Sequence, residues 1–183
     1  MNKKYQIILA DPPWNYRDKA LAGKRGAGCK YKVMDTLDIA KINVGGVTDT
    51  NCVLFMWVTM PKLNECFELI KSWGFQYKTV AFTWVKLNKV SMTPFIGMGN
   101  WTRANAEVCL LAIKGKPKRI SASVSSIVMT PIERHSKKPD EVKKRIVQLM
   151  GNLPRLEMFA RYKTEGWDVF GNEVDDSIKI PDF

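Results

Sequence analysis

Tyr5-Gln6-Ile7-Ile8-Leu9-Ala10-Asp11-Pro12-Pro13-Trp14 is the stretch on which the reading of this chain turns. Apart from Gln6 its first six residues are apolar with little alternation, the pattern of a strand covered on both faces in a parallel sheet. Two successive prolines then remove two backbone donors and fix two φ angles, so the strand must stop there. The carbonyls around Pro12 are expected to stay outside the ladder as free acceptors. A buried strand ending on a carboxylate, free carbonyls and an aromatic ring at a sheet edge is an environment for gripping a planar amine. An adenine exocyclic amine has two N–H bonds, one for the Asp11 carboxylate and one for the Pro12 carbonyl, with the base held on Trp14. Asp11 would also stabilise the positive charge that develops on nitrogen as it attacks an electrophilic methyl group. The plain alternative is a strand that merely ends in a proline turn.

Outward from this stretch, short apolar runs alternate with helical patterns, which argues for βαβ units and a mostly parallel sheet with flanking helices. Residues 15–32 form a glycine-rich basic loop carrying Arg17, Lys19, Lys24, Arg25, Lys30 and Lys32. A short helix is expected over 37–42. The run 52–58, apolar throughout, reads as a second central strand. In 61–73, Leu63, Phe67, Ile70 and Trp73 recur at helical spacing, with Pro61 at the start and Gly74 just past the end. Strands over 77–86 and 107–114 enclose a loop, 87–105, with Lys89, Met92, Phe95, Met98, Trp101 and Arg103, made flexible by Gly97 and Gly99. A further helix runs from 140 to about 150 on the stripe Val142, Ile146 and Leu149 or Met150, with Asp140 and Glu141 favourably in its first turn and Gly151 after it. Its exposed face reads as basic. A strand over 155–160 follows. Asp168, Asn172 and Glu173, near the ends of expected strands, suit ribose hydroxyls, or are ordinary charged loop residues.

Lysine and arginine number 29 against 18 acids, a net charge of +11, which points to a polyanionic partner such as a nucleic acid. The 183 residues suit one domain with a sizeable core, and no stretch is apolar for long enough to span a bilayer. The N-terminus enters a strand with no signal-peptide pattern, so the expected location is the cytoplasm, with no membrane partner. Cys29, Cys52, Cys66 and Cys109 have no paired spacing and His135 is the only histidine, so neither a disulfide framework nor a metal site is expected. His135 reads as a surface or structural histidine rather than a base.

In order along the chain stand Asp11-Pro12-Pro13-Trp14, Leu54-Phe55-Met56-Trp57-Val58, Trp84-Val85-Lys86 and Ser136-Lys137-Lys138-Pro139-Asp140-Glu141. Leu156-Glu157-Met158-Phe159-Ala160-Arg161, Gly166-Trp167 and Gly171-Asn172-Glu173 complete the set. With these motifs the chain resembles the MT-A70-type N6-adenine methyltransferases, in a small stand-alone, phage- or bacterial-like form with β-class motif order. The resemblance implies a Rossmann-like α/β methyltransferase fold over a single domain, 1–183, with the catalytic motif near the N-terminus and a cofactor-binding segment about 134–175. It implies S-adenosyl-L-methionine as cofactor and the N6 amine of adenine as acceptor. Asp11, Pro12, Pro13 and Trp14 match the catalytic motif, with Asp11 also near the methionine part of the cofactor. Lys138 matches a basic residue near the cofactor carboxylate, Glu157 and Arg161 match residues around adenosine and ribose, and Asn172 and Glu173 match the pair at the ribose hydroxyls or adenine. Trp14, Tyr16, Tyr31, Lys86, Trp101 and Arg103 are the candidate substrate contacts, Tyr31 falling where some members place a tyrosine beside the target base.

The chain departs from the family in several places. Glu173 stands where Gln is common. Tyr162-Lys163-Thr164 replaces a Pro-His-Asn run of eukaryotic members, and Phe159-Ala160-Arg161 stands where other β-class enzymes carry a glycine-rich loop. With ten residues ahead of Asp11, another loop is expected to cover the side where larger relatives contribute a cofactor-contacting acid. DNA is the favoured substrate, because the small chain lacks accessory RNA-binding domains. Duplex DNA would require the adenine to be flipped out of its pair at a cost of a few kcal/mol. The same methylation on RNA, a catalytically inactive nucleic-acid-binding partner and a small-molecule methyltransferase are the alternatives. A homodimer is an assembly that the sequence leaves open.

Overall fold

The strand that ends on Asp11 runs through the interior of a seven-stranded sheet. The computed structural model describes residues 3–15, 33–99, 101–133 and 137–180. Its strands are β1 (Tyr5–Ala10), β2 (Thr48–Val58), β3 (Gln76–Leu87), β4 (Glu107–Lys114), β5 (Ile127–Pro131), β6 (Arg155–Met158) and β7 (Asp168–Phe170), in the order β5-β3-β4-β2-β1-β6-β7. β1 pairs in parallel with β2 and β6, and the β6–β7 and β3–β5 pairs are also parallel. Only β4 is reversed, running antiparallel to β2 and β3. The sheet is thus the mostly parallel one expected, with a single inverted strand that proves decisive for the site.

Helices cover both faces. Ile7 and Leu9 of β1, with Val53, Phe55 and Trp57 of β2, pack against α3 (Asp140–Met150) through Val142, Ile146 and Met150. Ile8 and Ala10, with Leu54 and Met56, face α1 (Thr36–Lys41) and α2 (Leu63–Ser72) through Ile39, Leu69 and Ile70. Both faces of the sheet being covered there is why 7–10 of β1 and 52–58 of β2 are continuously apolar. Burying an aliphatic side chain of this kind contributes about 1.5–3 kcal/mol, so these contacts set the orientation of the sheet edge as well as the core. α2 begins after a 3-10 turn, Met60–Lys62, built around Pro61, and stops before Gly74, whose φ of +80° suits glycine. α3 carries Asp140 and Glu141 in its first turn and ends at Gly151, φ +91°.

Sequence periodicity misses β5. Its five residues lie between polar segments, and Ile127 and Met129 are exposed. The strand forms because β3 offers an edge, and Arg145 of α3 donates through Nη1 to the carbonyls of Ser125 and Ile127, at 2.9 and 2.6 Å. Covering a sheet edge in this way satisfies acceptors that would otherwise recruit another chain. The expected strand over 155–160 is shorter, because Phe159 turns out of it with φ +61°. The basic face expected for α3 also needs correction: Arg145 is tied to Glu141 and to the β5 edge, and Lys143 is buried. Among the described residues no helix is long and apolar enough to cross a membrane.

Candidate active site

The ends of β1, β3, β5 and β6 lie along one edge of the sheet, and the reversal of β4 brings its first residue, Glu107, to that same edge, where it pairs with Trp84. Asp11 follows β1 directly, Lys86 is the penultimate residue of β3, and Lys138 stands just ahead of α3. These four side chains form an alternating row of charge. Asp11 Oδ2 accepts from Lys138 Nζ at 2.9 Å, Lys138 Nζ lies 3.4 Å from Glu107 Oε2, and Lys86 Nζ donates to Glu107 Oε1 at 2.5 Å. Lys138 lies over the Trp57 ring and Lys86 over the Trp84 ring, at 5.7 and 5.2 Å, and the two indoles meet edge to face.

Burial raises the Asp11 carboxyl above its ordinary value, against the pull of Lys138. Burial acts on Glu107 in the same sense, but Lys138 and Lys86 together outweigh it and hold this carboxyl down. Lys138 loses charge stabilisation by burial, yet the two flanking carboxylates raise it. The row therefore holds one carboxyl that is held down, Glu107, and one that is raised, Asp11, on either side of Lys138. Cys109 lies fully buried close by, its thiol pushed well above the usual range by burial first and by the Asp11 charge second, so no thiolate competes with Asp11.

The proline corner differs from expectation in two ways. The Pro12 carbonyl already accepts from the Trp14 N–H at 2.8 Å, and the Pro13 carbonyl from the Met34 N–H at 3.0 Å. A carbonyl has two lone pairs, so Pro12 retains one for a further donor. Trp14 is only 3% exposed and donates its indole N–H to the Trp57 carbonyl at 3.1 Å. Its ring braces the corner from within the core instead of offering an open stacking surface.

Beside this row runs a cleft whose walls include Asp11, Lys138, Glu157, Phe159, Arg161 and Tyr162. Phe159 reaches it from its left-handed conformation, a cost of order 1–3 kcal/mol for a residue with a Cβ. Gly171 makes that turn possible: the Ala160 N–H donates to the Phe170 carbonyl at 3.0 Å, and a Cβ on Gly171 would sit 2.3 Å from the Ala160 carbonyl oxygen.

The MT-A70 family model matches residues 5–173, from β1 through the turn after β7. The chain belongs to the MT-A70 family. Type II methyltransferase M.MunI of Mycoplasma is 34% identical to it over 198 residues, covering 98% of this chain and 82% of that protein. The N(6)-adenosine-methyltransferase MT-A70-like protein of Arabidopsis thaliana is 28% identical, covering 93% of this chain but 24% of its own length. The human N(6)-adenosine-methyltransferase catalytic subunit METTL3 is 25% identical over 94% of this chain and 28% of its own length. The chain thus spans most of one MT-A70 relative and about a quarter of the others.

Of the residues expected from the sequence to contact a cofactor, Asp11, Lys138, Glu157 and Arg161 converge on the cleft. Arg161 Nε lies 3.2 Å from Glu173 Oε1, which links the turn after β7 to it, while Asn172 is exposed in that turn. Asp168 is not part of the site. It opens β7 at the opposite edge, bound by Lys3 and the Tyr5 hydroxyl. Among the expected substrate contacts, Lys86 is in the charge row. Trp101 is 99% exposed and Arg103 donates to Met98 Sδ. Their loop is fastened to the end of β3 by Asn105, which accepts from the Lys86 N–H at 2.9 Å and donates to its carbonyl at 3.0 Å. Gly97 allows a close approach there, donating to the Ala104 carbonyl at 2.8 Å where a Cβ would clash with it. Tyr16, Tyr31, His135, Cys29 and the basic residues of 17–32 lie outside the described residues.

Sequence reasoning missed Glu107, Lys143 and Tyr162. For Glu107 the one signal was an acid opening an otherwise apolar run, and it acquires meaning only once β4 is reversed.

Proposed function

We propose that this MT-A70 chain transfers a methyl group from S-adenosyl-L-methionine to the N6 amine of adenine in DNA, working as one methyltransferase domain. The observation that carries this reading is the meeting of Asp11, the residue that opens the proline corner, with Lys138 at the wall of the cleft. The donor set suits the cofactor. Lys138 offers a cation for a carboxylate, and Glu157 is a cleft-wall carboxylate that can accept from hydroxyls. Bound S-adenosylmethionine supplies an electrophilic methyl group on a sulfonium sulfur.

Asp11 accepts one N–H of the target amine, and the remaining lone pair of Pro12 accepts the other. Both draw the nitrogen toward a tetrahedral form and oppose the charge that develops on it. Because Asp11 pairs with Lys138 before substrate arrives, Lys138 must turn part of its charge elsewhere, and Glu107 at 3.4 Å is ready to hold it. Orientation of the amine provides much of the acceleration, aligned intramolecular reactions being favoured by about 7–11 kcal/mol. The exposed Trp101, with Lys89 and Arg103 on the same loop, supplies a stacking surface beside cations for an extruded or single-stranded base.

DNA is favoured over RNA because the relatives named for adenosine, the ribonucleoside, share less identity and extend far beyond this chain, whereas the relative matched along most of both lengths is named a Type II methyltransferase. The test is transfer of labelled methyl to unmethylated duplex DNA, single-stranded DNA and RNA in parallel, with digestion to nucleosides. N6-methyldeoxyadenosine supports the proposal, label in RNA alone moves the substrate to RNA, and no label on any polymer despite cofactor binding overturns the nucleic-acid reading.

A further inference from the structure

We infer that Lys143 is a positioning residue of the cleft, holding the Glu157 carboxylate at the wall as an acceptor for the cofactor's ribose hydroxyls and so setting cofactor affinity. The inference rests on the S-adenosylmethionine reading above.

Lys143 sits in the first half of α3 and would be expected on its solvent face, yet it is 6% exposed. A buried ammonium is tolerated only where partners replace its water. Here Nζ lies 2.7 Å from Glu157 Oε2, donates to Thr164 Oγ1 at 2.7 Å, stands 4.5 Å from the centre of the Tyr162 ring and approaches Asp140 Oδ1 at 4.0 Å. The ring is itself held in place. The Tyr162 hydroxyl donates to Asp140 Oδ1 at 2.8 Å, and Lys137, paired with Glu133 and Asp140, lies over the same ring. Lys143 thus ties α3 to the segment after β6 at the point where Glu157 and Tyr162 both face the cleft. Tyr162 and Thr164 lie in the segment where this chain departs from the Pro-His-Asn run, so the cluster is a local solution built from residues of this chain.

The surroundings of Glu157 explain why the lysine matters. Burial raises the carboxyl, Lys143 opposes this, and the negative charges of Asp11 after β1 and Asp140 on α3 push it up further. Lys138, Arg161 and the neutral Tyr162 complete the ionisable groups lining the cleft around it, with Lys137 beside them. Without the Lys143 charge, burial and the charges of Asp11 and Asp140 all push Glu157 toward the protonated acid. A protonated carboxyl keeps one carbonyl acceptor but loses the charge that strengthens hydrogen bonds from the hydroxyls.

The test is titration calorimetry with S-adenosylmethionine and S-adenosylhomocysteine over a pH series running from above neutrality into acid. It compares the wild-type chain with Lys143→Gln, Lys143→Met, Lys143→Arg and Glu157→Gln, melting temperatures being recorded for each. Lys143→Gln is expected to lose about ten- to hundredfold in affinity, as removal of an outer partner of a ligating carboxylate does elsewhere, and to weaken further toward acid. Lys143→Arg should recover most of the loss, and Lys143→Gln added to Glu157→Gln should cost little more than Glu157→Gln alone. Wild-type affinity and pH dependence in a folded Lys143→Gln or Lys143→Met protein, or additive losses in the double variant, would overturn the inference. If the wild-type chain binds neither ligand, the cofactor reading itself fails and this inference falls with it, a result seen before any variant is compared.

Discussion

Asp11 and Lys138, 127 positions apart in sequence, meet as a charge-assisted pair with Oδ2 and Nζ 2.9 Å apart, and Lys138 is shared with Glu107 on the one strand that runs against the rest of the sheet. On the proposed function, the acceptor for the amine is thereby held in check by a cation that has a second carboxylate to turn to. This sharing keeps the site from locking into a single closed ion pair.

Replacing Asp11 with Ala removes the acceptor and the group that opposes positive charge on the amine. Methyl transfer should fall by 10²–10³-fold or more, the range seen when one preorganised electrostatic contact is lost. Lys138 keeps Glu107, so the melting temperature should change little. Labelled-methyl assays beside a thermal melt check both halves, and full activity in the variant would remove Asp11 from the mechanism.

Activity and stability should part company in acid. Asp11 must be ionised to accept the amine, and burial raises its pKa above 3.8, so kcat/KM should rise with unit slope through a pKa higher than that of an ordinary aspartate. Glu107 has the opposite shift. Its folded pKa lies below the ordinary 4.5, so its stabilisation is present above that value and is lost as the pH falls through the folded value. On acidification activity is therefore expected to decline before the fold does, which parallel rate and melting profiles against pH would show.

Gly171→Ala tests the turn at the cleft. The added Cβ would meet backbone atoms of Ala160 at 2.3 and 2.6 Å, and backbone cannot rotate aside as a side chain can. A loss of about 1–3 kcal/mol in denaturant unfolding is expected, as for overpacking elsewhere, together with weaker cofactor binding because Phe159 and Arg161 shift.

Trp101→Ala should do the reverse. A side chain 99% exposed holds up nothing, so stability should stay within about 0.5 kcal/mol. Stacking on a base contributes roughly 1–3 kcal/mol, so the affinity for single-stranded or flipped-base DNA should drop by a corresponding amount while cofactor affinity stays the same. Fluorescence anisotropy with a short oligonucleotide measures it.

Much of this architecture was legible from local signals. β1 and the apolar core of β2 show as runs without alternation, α2 and α3 as stripes of period 3.6 bounded by proline and glycine, and the proline corner as a stop that no partner strand is needed to explain. β4 was found to its last residue, but not its direction. Each of these depends on residues a few positions apart, so the sequence by itself determined the mostly parallel sheet, its covering helices and the placing of Asp11 at a strand end. What only the tertiary structure decided depends on which distant segments share an environment. The reversal of β4 turns Glu107 from the opening of a strand into the second partner of Lys138. The packing of the corner makes Trp14 a core residue, and the pairing of α3 with the segment after β6 puts the Lys143 ammonium where water would otherwise be. Hydrophobic pattern marks which face of an element is buried, whereas the partners of a buried charge are chosen by strand direction and long-range contact, which no local pattern carries.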